Sequence, residues 1–204
     1  MSEFRASAGA SFPRQPFRGG LAVLSGPSGS GKTSICKALR RDPRVELSIS
    51  ATTRQPRVGE QHGVDYWFYS LAQFEQMVAD GEFIEWARVY GNCYGTPRAP
   101  LAAASVRRDR LMLLDIDVQG AAQLRKQQIA ALSIFVAPPS VEELRRRLAL
   151  RRTDAPEVVE QRLRWAEQEM AQRASYDHVV LNEDLPATIH AVQSLLGLDP
   201  LPPT

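Results

Sequence analysis

Apolar positions along this chain follow two rhythms that take turns. Nearly unbroken apolar runs at 21–24, 111–117, 131–137 and 178–181 read as strands buried on both faces. Alternation at 45–50 and 83–90 reads as half-exposed strands, with a further strand-like run at 66–69. Between them, helical spacing appears over 34–40, 71–80, 120–128, 141–152, 156–174 and 185–196, and another helix is expected to start at Pro97. The punctuation agrees with this division. Asp42-Pro43 makes a break, Gly81 ends 71–80, 91–96 reads as a turn, and Pro138-Pro139-Ser140 caps the helix that follows. Strands alternating with helices predict a three-layer α/β fold, a central parallel sheet with helices on both faces.

One junction carries chemistry. Gly26-Pro27-Ser28-Gly29-Ser30-Gly31-Lys32-Thr33 has the form G-x-x-x-x-G-K-T and stands between a strand and a helix, the context a phosphate-binding P-loop needs. Gly26, Gly29 and Gly31 let the backbone turn so that several N–H groups converge on one anion. The helix beginning near Lys32, with Ser34 in its first turn, adds the positive end of its dipole. Lys32 can reach the β- and γ-phosphates of a nucleoside triphosphate, and the Thr33 hydroxyl is placed to hold Mg²⁺.

Charge narrows the partners further. A net charge of +2 is too small to point to nucleic acid or a membrane surface. Arginine supplies most of the basic residues, with lysine only at Lys32, Lys37 and Lys126, so a lysine inside the loop stands out. Cys36 and Cys93 form no disulfide framework and no metal-ligand spacing. Residues 1–19 lack an apolar run and are expected to be disordered, as is the tail 198–204. The expected location is cytoplasmic. One domain over 20–197 is expected, its core made of 20–49, 98–144 and 166–197. Two polar insertions, 50–97 and 145–165, read as mobile subdomains on that core.

The motifs in their order resemble the guanylate kinase family of P-loop nucleoside monophosphate kinases, over about residues 21–196. The likeness is carried by the loop itself, by Ser50-Ala51-Thr52-Thr53-Arg54-Gln55-Pro56-Arg57 with Gly59-Glu60, and by Gly63 with Asp65-Tyr66. It continues through Glu82-Phe83-Ile84-Glu85-Trp86, Gly91-Asn92 with Tyr94-Gly95-Thr96, Leu114-Asp115-Ile116-Asp117-Val118-Gln119-Gly120, Ala137-Pro138-Pro139-Ser140 and Val180-Leu181-Asn182. Three positions depart from the family pattern: Ala51 where Ser is common, Cys93 where Tyr is usual, and Arg152 where Gly is frequent.

This resemblance implies a P-loop NTPase fold with a GMP-binding subdomain at 50–97 and a lid at 145–165. It implies transfer of the ATP γ-phosphoryl group to GMP, with dGMP as a further acceptor and Mg²⁺ accompanying ATP. Arg54, Arg57, Tyr66 and Tyr94 would clamp the acceptor phosphate, because guanidinium forks meet phosphate oxygens in pairs. Glu85 would accept from guanine N1–H and the N2 amino group, with Ser50 and Thr96 nearby as hydroxyl donors and Asp117 as a second acceptor. Asp115, ending a buried strand beside the loop, is the stronger candidate for the catalytic centre. Arg151 and Arg162, then Arg147, would close over the transferring phosphate. Asn182 is read either as an adenine contact or as the cap of the last helix. His62, His178 and His190 have no catalytic neighbours in the sequence.

Two other readings compete. A kinase of the same fold acting on a ribose bisphosphate would lack the set Ser50, Glu85, Thr96 and Asp117. A phosphopeptide-binding module of the guanylate-kinase type would lose Lys32 and the lid arginines. Both require the loss of residues that this chain retains. Monomer and homo-oligomer are left open.

Overall fold

In the computed structural model the backbone is described for residues 2–5, 17, 19–104, 109–150 and 156–198. The loop strand β2 (Gly20–Ser25) lies inside a six-stranded sheet with every pairing parallel. On one side it pairs with β8 (Leu111–Asp115), which pairs in turn with β3 (Val45–Leu47). On the other it pairs with β9 (Leu132–Ala137), followed by β10 (His178–Leu181). The outermost strand is β1 (Ser2–Arg5), parallel to β10. Four residues of the expected disordered leader are therefore a strand. The unpaired edge of β10 offers backbone groups that even a short segment can satisfy.

The period of two along β2 divides the core. Ala22 and Leu24 point to one face and pack with Ile35 and Leu39 of α1 (Lys32–Leu39) and with Val192 and Leu195 of α7 (Leu185–Leu195). Val23 points to the other and joins Met112, Leu114 and Phe135 beneath Ala121 and Leu124 of α4 (Val118–Lys126). Leu113 is fully buried, and truncating such a leucine to Ala costs about 2–5 kcal/mol. The expected α/β architecture with helices on both faces is what forms.

Residues 51–97 build a second sheet, in the order β5 (Trp67–Phe68), β4 (Ala51–Thr52), β7 (Asn92–Pro97), β6 (Phe83–Val89). Its own small core joins Ala51, Cys93, Phe83 and Phe74, the last from α2 (Leu71–Ala79), and the two Phe rings stack 4.5 Å apart. Most of the stretch expected as a turn at 91–96 is strand β7. The reversal needs only Tyr90 and Gly91, at φ 51° and 81°, so pairing resumes at once with Val89 opposite Asn92. Gly95 lies within the strand because a Cβ there would stand 2.9 Å from the Phe83 ring and 3.1 Å from Phe74.

The two sheets meet along α4. Its side chains take the place of a strand on the free edge of β6: Gln123 Nε2 donates to Trp86 O at 2.6 Å, Gln123 Oε1 accepts from Trp86 N at 3.2 Å, and Gln127 Nε2 donates to Ile84 O at 2.7 Å. Glu85 is thereby fixed beside the start of α4. The short helix α3 (Arg98–Ala104) leads back to the main sheet. Helices α5 (Val141–Leu150) and α6 (Pro156–Ala171) pack through Leu144, Leu148, Leu163 and Ala166. A Cβ on Gly29 would lie 2.9 Å from Leu144, so this pair sits directly on the loop. Among the described residues no helix is long and apolar enough to cross a membrane.

Candidate active site

Three glycines shape the loop after β2: Gly26, Gly29 and Gly31 take φ of 136°, 88° and 102°. Helix α1 follows Gly31 with no side-chain cap, so its first-turn N–H groups are left for an external anion. The Lys32 ammonium folds over the loop and donates to Gly26 O at 2.5 Å and Pro27 O at 3.0 Å. Thr33 and Ser34 are exposed at the helix start.

The loop forms one wall of a cleft of about 410 Å³ that also receives residues from the second sheet and from α6. Gly26, Ser28, Gly29, Gly31, Lys32, Thr33 and Ser34 line the loop side. Ser50, Arg54, Arg57, Tyr66, Glu85 and Tyr94 line the opposite side, Asp115 and Asp117 lie between, and Arg162 comes from α6. Asp115 pairs in register with Leu24, which explains its position beside the loop. Residues as far apart in sequence as Gly26 and Arg162 thus face one space.

Five expected site residues do not line that cleft. Pro27 contributes only its carbonyl to Lys32, and Ser30 is fully buried. Thr96, also fully buried, reaches the site through Glu85. Arg147 is tied to Glu143 at 2.7 Å and to Asn182 O at 2.9 Å, which braces α5 against the end of β10. Asn182 is 3% exposed, its Nδ2 donating to Ser30 O at 2.7 Å and its Oδ1 accepting from Thr188 at 3.0 Å. It supports the loop from behind, whereas the cap of α7 is Asp184, whose carboxylate accepts from Ala187 N at 2.9 Å. The cap reading of Asn182 is therefore not what forms. Arg151 lies outside the described residues, as does Arg152.

The basic group on the acceptor side is organised by a residue to which sequence reasoning assigned no role. Glu60 accepts from Arg54 Nη2 at 3.0 Å and from Arg57 N at 2.7 Å. Burial opposes the Arg54 charge, and the bonds to Glu60 and Tyr94 more than restore it. The guanidinium also lies 5.4 Å from the Tyr66 ring centroid, and Tyr66 meets Tyr94 edge-on at 6.2 Å. The sequence signal for Glu60 was its place in the motif with Gly59, three residues after Arg57.

The acidic side is crowded and poorly solvated. Thr96 Oγ1 donates to Glu85 Oε1 at 2.5 Å, yet burial still pushes the Glu85 carboxyl up to about 7, with Asp117 adding to the shift. Asp117 caps α4, accepting from Gly120 N at 2.8 Å and from Gln119 Nε2 at 3.2 Å, and burial raises its pKa too. Burial raises Asp115 while Lys32 opposes the shift. Glu169 of α6, 8% exposed and not anticipated, is pushed up to about 7 by burial against the pull of Lys32. Such a surface favours ligands that bring hydrogen-bond donors to one end and compensating charge to the other.

Among the described residues no three His, Cys, Asp or Glu side chains gather as a metal cage. The oxygen donors beside the loop, the exposed Thr33 hydroxyl and the Asp115 carboxylate, suit a hard cation that keeps most of its coordination from phosphate and water. Mg²⁺ fits that set.

Comparison with known proteins follows the same lines. Residues 18–198 match the sequence model of the family described as guanylate kinase. The guanylate kinase of Carboxydothermus hydrogenoformans is 44% identical over 187 residues, covering 91% of this chain and 91% of the relative. That of Paramagnetospirillum magneticum is 49% identical over 186 residues, covering 90% and 86%. The crystal structure of guanylate kinase from Anaplasma phagocytophilum is similar with a TM-score of 0.72 at 35% identity, covering 88% of this chain and 85% of that one. Likeness of this extent, in sequence and in backbone, defines the relationship: the chain belongs to the guanylate kinase family.

Proposed function

We infer that this protein transfers the γ-phosphoryl group of ATP to GMP, giving ADP and GDP. The observation that carries the reading is the shared cleft: a P-loop on one wall, and on the other a buried carboxylate aimed by Thr96 beside an arginine–tyrosine group. ATP would lie with its phosphates on the amides of 28–34 and Lys32, and GMP on the second sheet. An oxygen of the GMP phosphate then bonds to the γ-phosphorus as the bond to the ADP oxygen breaks.

Glu85 accepts from guanine N1–H and the 2-amino group, two charge-assisted bonds to one planar edge. Thr96 spends its proton on Glu85, so it acts as a positioning residue, and Ser50 is the hydroxyl left for guanine O6. Asp117 adds an acceptor near the amino group while holding α4. None of these contacts involves the ribose 2′-hydroxyl, so dGMP is accepted as well. Arg54, Arg57, Tyr66 and Tyr94 hold the acceptor phosphate, and Arg162 neutralises charge that builds up during transfer. Arg151 is assigned the same task. When bound with ATP, Mg²⁺ would be held by the Thr33 hydroxyl and would supply further charge neutralisation at the phosphates. The chemistry is therefore positioning and electrostatics, with no covalent enzyme intermediate. Substrates of this kind suit a cytoplasmic enzyme.

A coupled ADP-release assay with Mg·ATP and a panel of GMP, dGMP, AMP, CMP and UMP tests the reading. Turnover with GMP and dGMP is expected. Binding of both ATP and GMP without ADP release would contradict it and favour a binding module.

A further inference from the structure

The turn joining β6 to β7 holds a residue that its backbone does not favour. Tyr90 occupies the first of two left-handed positions, where Asn or Gly is the usual choice and a bulky side chain is disfavoured. Its ring leaves its own sheet and packs on α6. The Tyr90 and Trp165 ring centroids lie 5.2 Å apart with planes tilted by 36°, and the Arg162 guanidinium sits 5.2 Å from the Tyr90 centroid. Arg162 and Trp165 are three residues apart on the helix and so share a face. The phenol oxygen is buried with no hydrogen-bond partner among the described residues. Burial pushes its pKa up to about 12, with Glu169 adding and Arg162 opposing, so the ring stays neutral at assay pH. What the tyrosine gives to α6 is therefore its ring face.

We propose that Tyr90 is a positioning residue: its ring holds the Arg162 guanidinium over the cleft and ties α6 to the acceptor-side sheet. The proposal rests on the phosphotransferase reading, in which Arg162 touches the transferring phosphate. Because the turn belongs to the sheet that receives GMP, movement of that sheet carries the ring, and with it the arginine, toward or away from the loop. The cation–π contact gives a direct physical link, strongest where both groups are out of water.

Tyr90→Asn removes the ring while supplying a residue that suits the turn, and Tyr90→Phe keeps the ring and removes the unpartnered hydroxyl. The Asn variant is expected to lower kcat about tenfold with KM for GMP within about twofold. The Phe variant should restore kcat to within about twofold of the parent. In a double-mutant cycle, Tyr90→Asn should add little to the loss from Arg162→Ala. An Asn variant with parental kcat overturns the proposal, as does a Phe variant impaired as much as the Asn one. If the parent released no ADP with GMP, the function reading would fail by itself, and amide exchange would judge the contact. Faster exchange over 162–171 in the Asn variant, with 118–126 unchanged, supports the contact, and parental exchange over 162–171 contradicts it.

Discussion

Glu85 can stand where it does because residue 120 is glycine. A Cβ on Gly120 would lie 2.8 Å from the Glu85 carboxyl carbon, with Oε2 nearer still, and 3.4 Å from Asp117 Oδ1. The helix start thus approaches the buried carboxylate more closely than any other residue permits, while the Gly120 amide binds Asp117.

Gly120→Ala tests that approach. Alanine is the better helix former by about 1 kcal/mol, so a purely local view expects stabilisation. The space predicts the reverse for function: Glu85 must shift, and KM for GMP should rise at least about tenfold with KM for ATP unchanged. Unchanged GMP kinetics would show that Glu85 adapts freely.

The buried carboxylate should also be visible in stability. Its pKa is about 7 in the folded chain, raised from an ordinary value of 4.5. The folded state therefore holds the proton more tightly, and stability falls as pH rises from about 4.5 to about 7. Glu85→Gln removes this penalty. Above pH 7 the variant should be more stable, on the order of 2 kcal/mol or about 4–8 °C in Tm. The difference should vanish near pH 4.5. Thermal melts of both proteins across pH 4.5–8.5 measure it, and a variant less stable at pH 8 would contradict the assignment.

Thr96→Val removes the hydroxyl that aims Glu85 while keeping the shape. An unpaired buried carboxylate oxygen costs about 1–3 kcal/mol, so GMP kcat/KM should fall about tenfold or more. ATP binding, measured by titration, should not change. Loss of ATP affinity would mean that Thr96 acts on the loop instead.

Glu60 gives a similar test on the phosphate side. With the Arg54 and Glu60 side chains only 15% and 18% exposed, the attraction within the pair is offset by the cost of desolvating both charges. Glu60→Gln keeps an amide oxygen for Arg54 while removing the charge, so it should leave Tm within about 4 °C, yet raise KM for GMP several-fold by loosening Arg54. A fall in Tm with unchanged KM would make Glu60 a structural residue only.

The sequence was most informative where chemistry and local geometry coincide. The P-loop, the strand ending at Asp115 and the helix after Ser140 announce themselves through glycines, apolar runs and caps within a few residues. It was least informative where the partner is far along the chain. Gly91 and Gly95 suggested a loop, but Gly95 is required by the Phe74 and Phe83 rings. Asn182 supports Ser30 from 152 residues away, and Gln123 pairs with Trp86 across 37. Glu169 and Tyr90 have no motif of their own and gain meaning only from the cleft they share. The leader at 2–5 became a strand through the free edge of β10, which local composition does not reveal.

Discrimination between guanine and adenine tests the role of Glu85 most directly. Against AMP, Glu85 would face the N1 lone pair and find no 2-amino group, leaving a buried acceptor unpaired. Sites built to bond a donor reject a substrate lacking it by about 10⁴-fold. The measurement is kcat/KM for GMP and AMP at saturating Mg·ATP, in the parent and in Glu85→Gln. With Glu85 as the base reader, the parent prefers GMP by about 10⁴-fold or more, and the variant loses GMP efficiency steeply without gain on AMP. A parent that used AMP within about tenfold of GMP, or a variant within about twofold of the parent on GMP (less than half a kcal/mol), would contradict it.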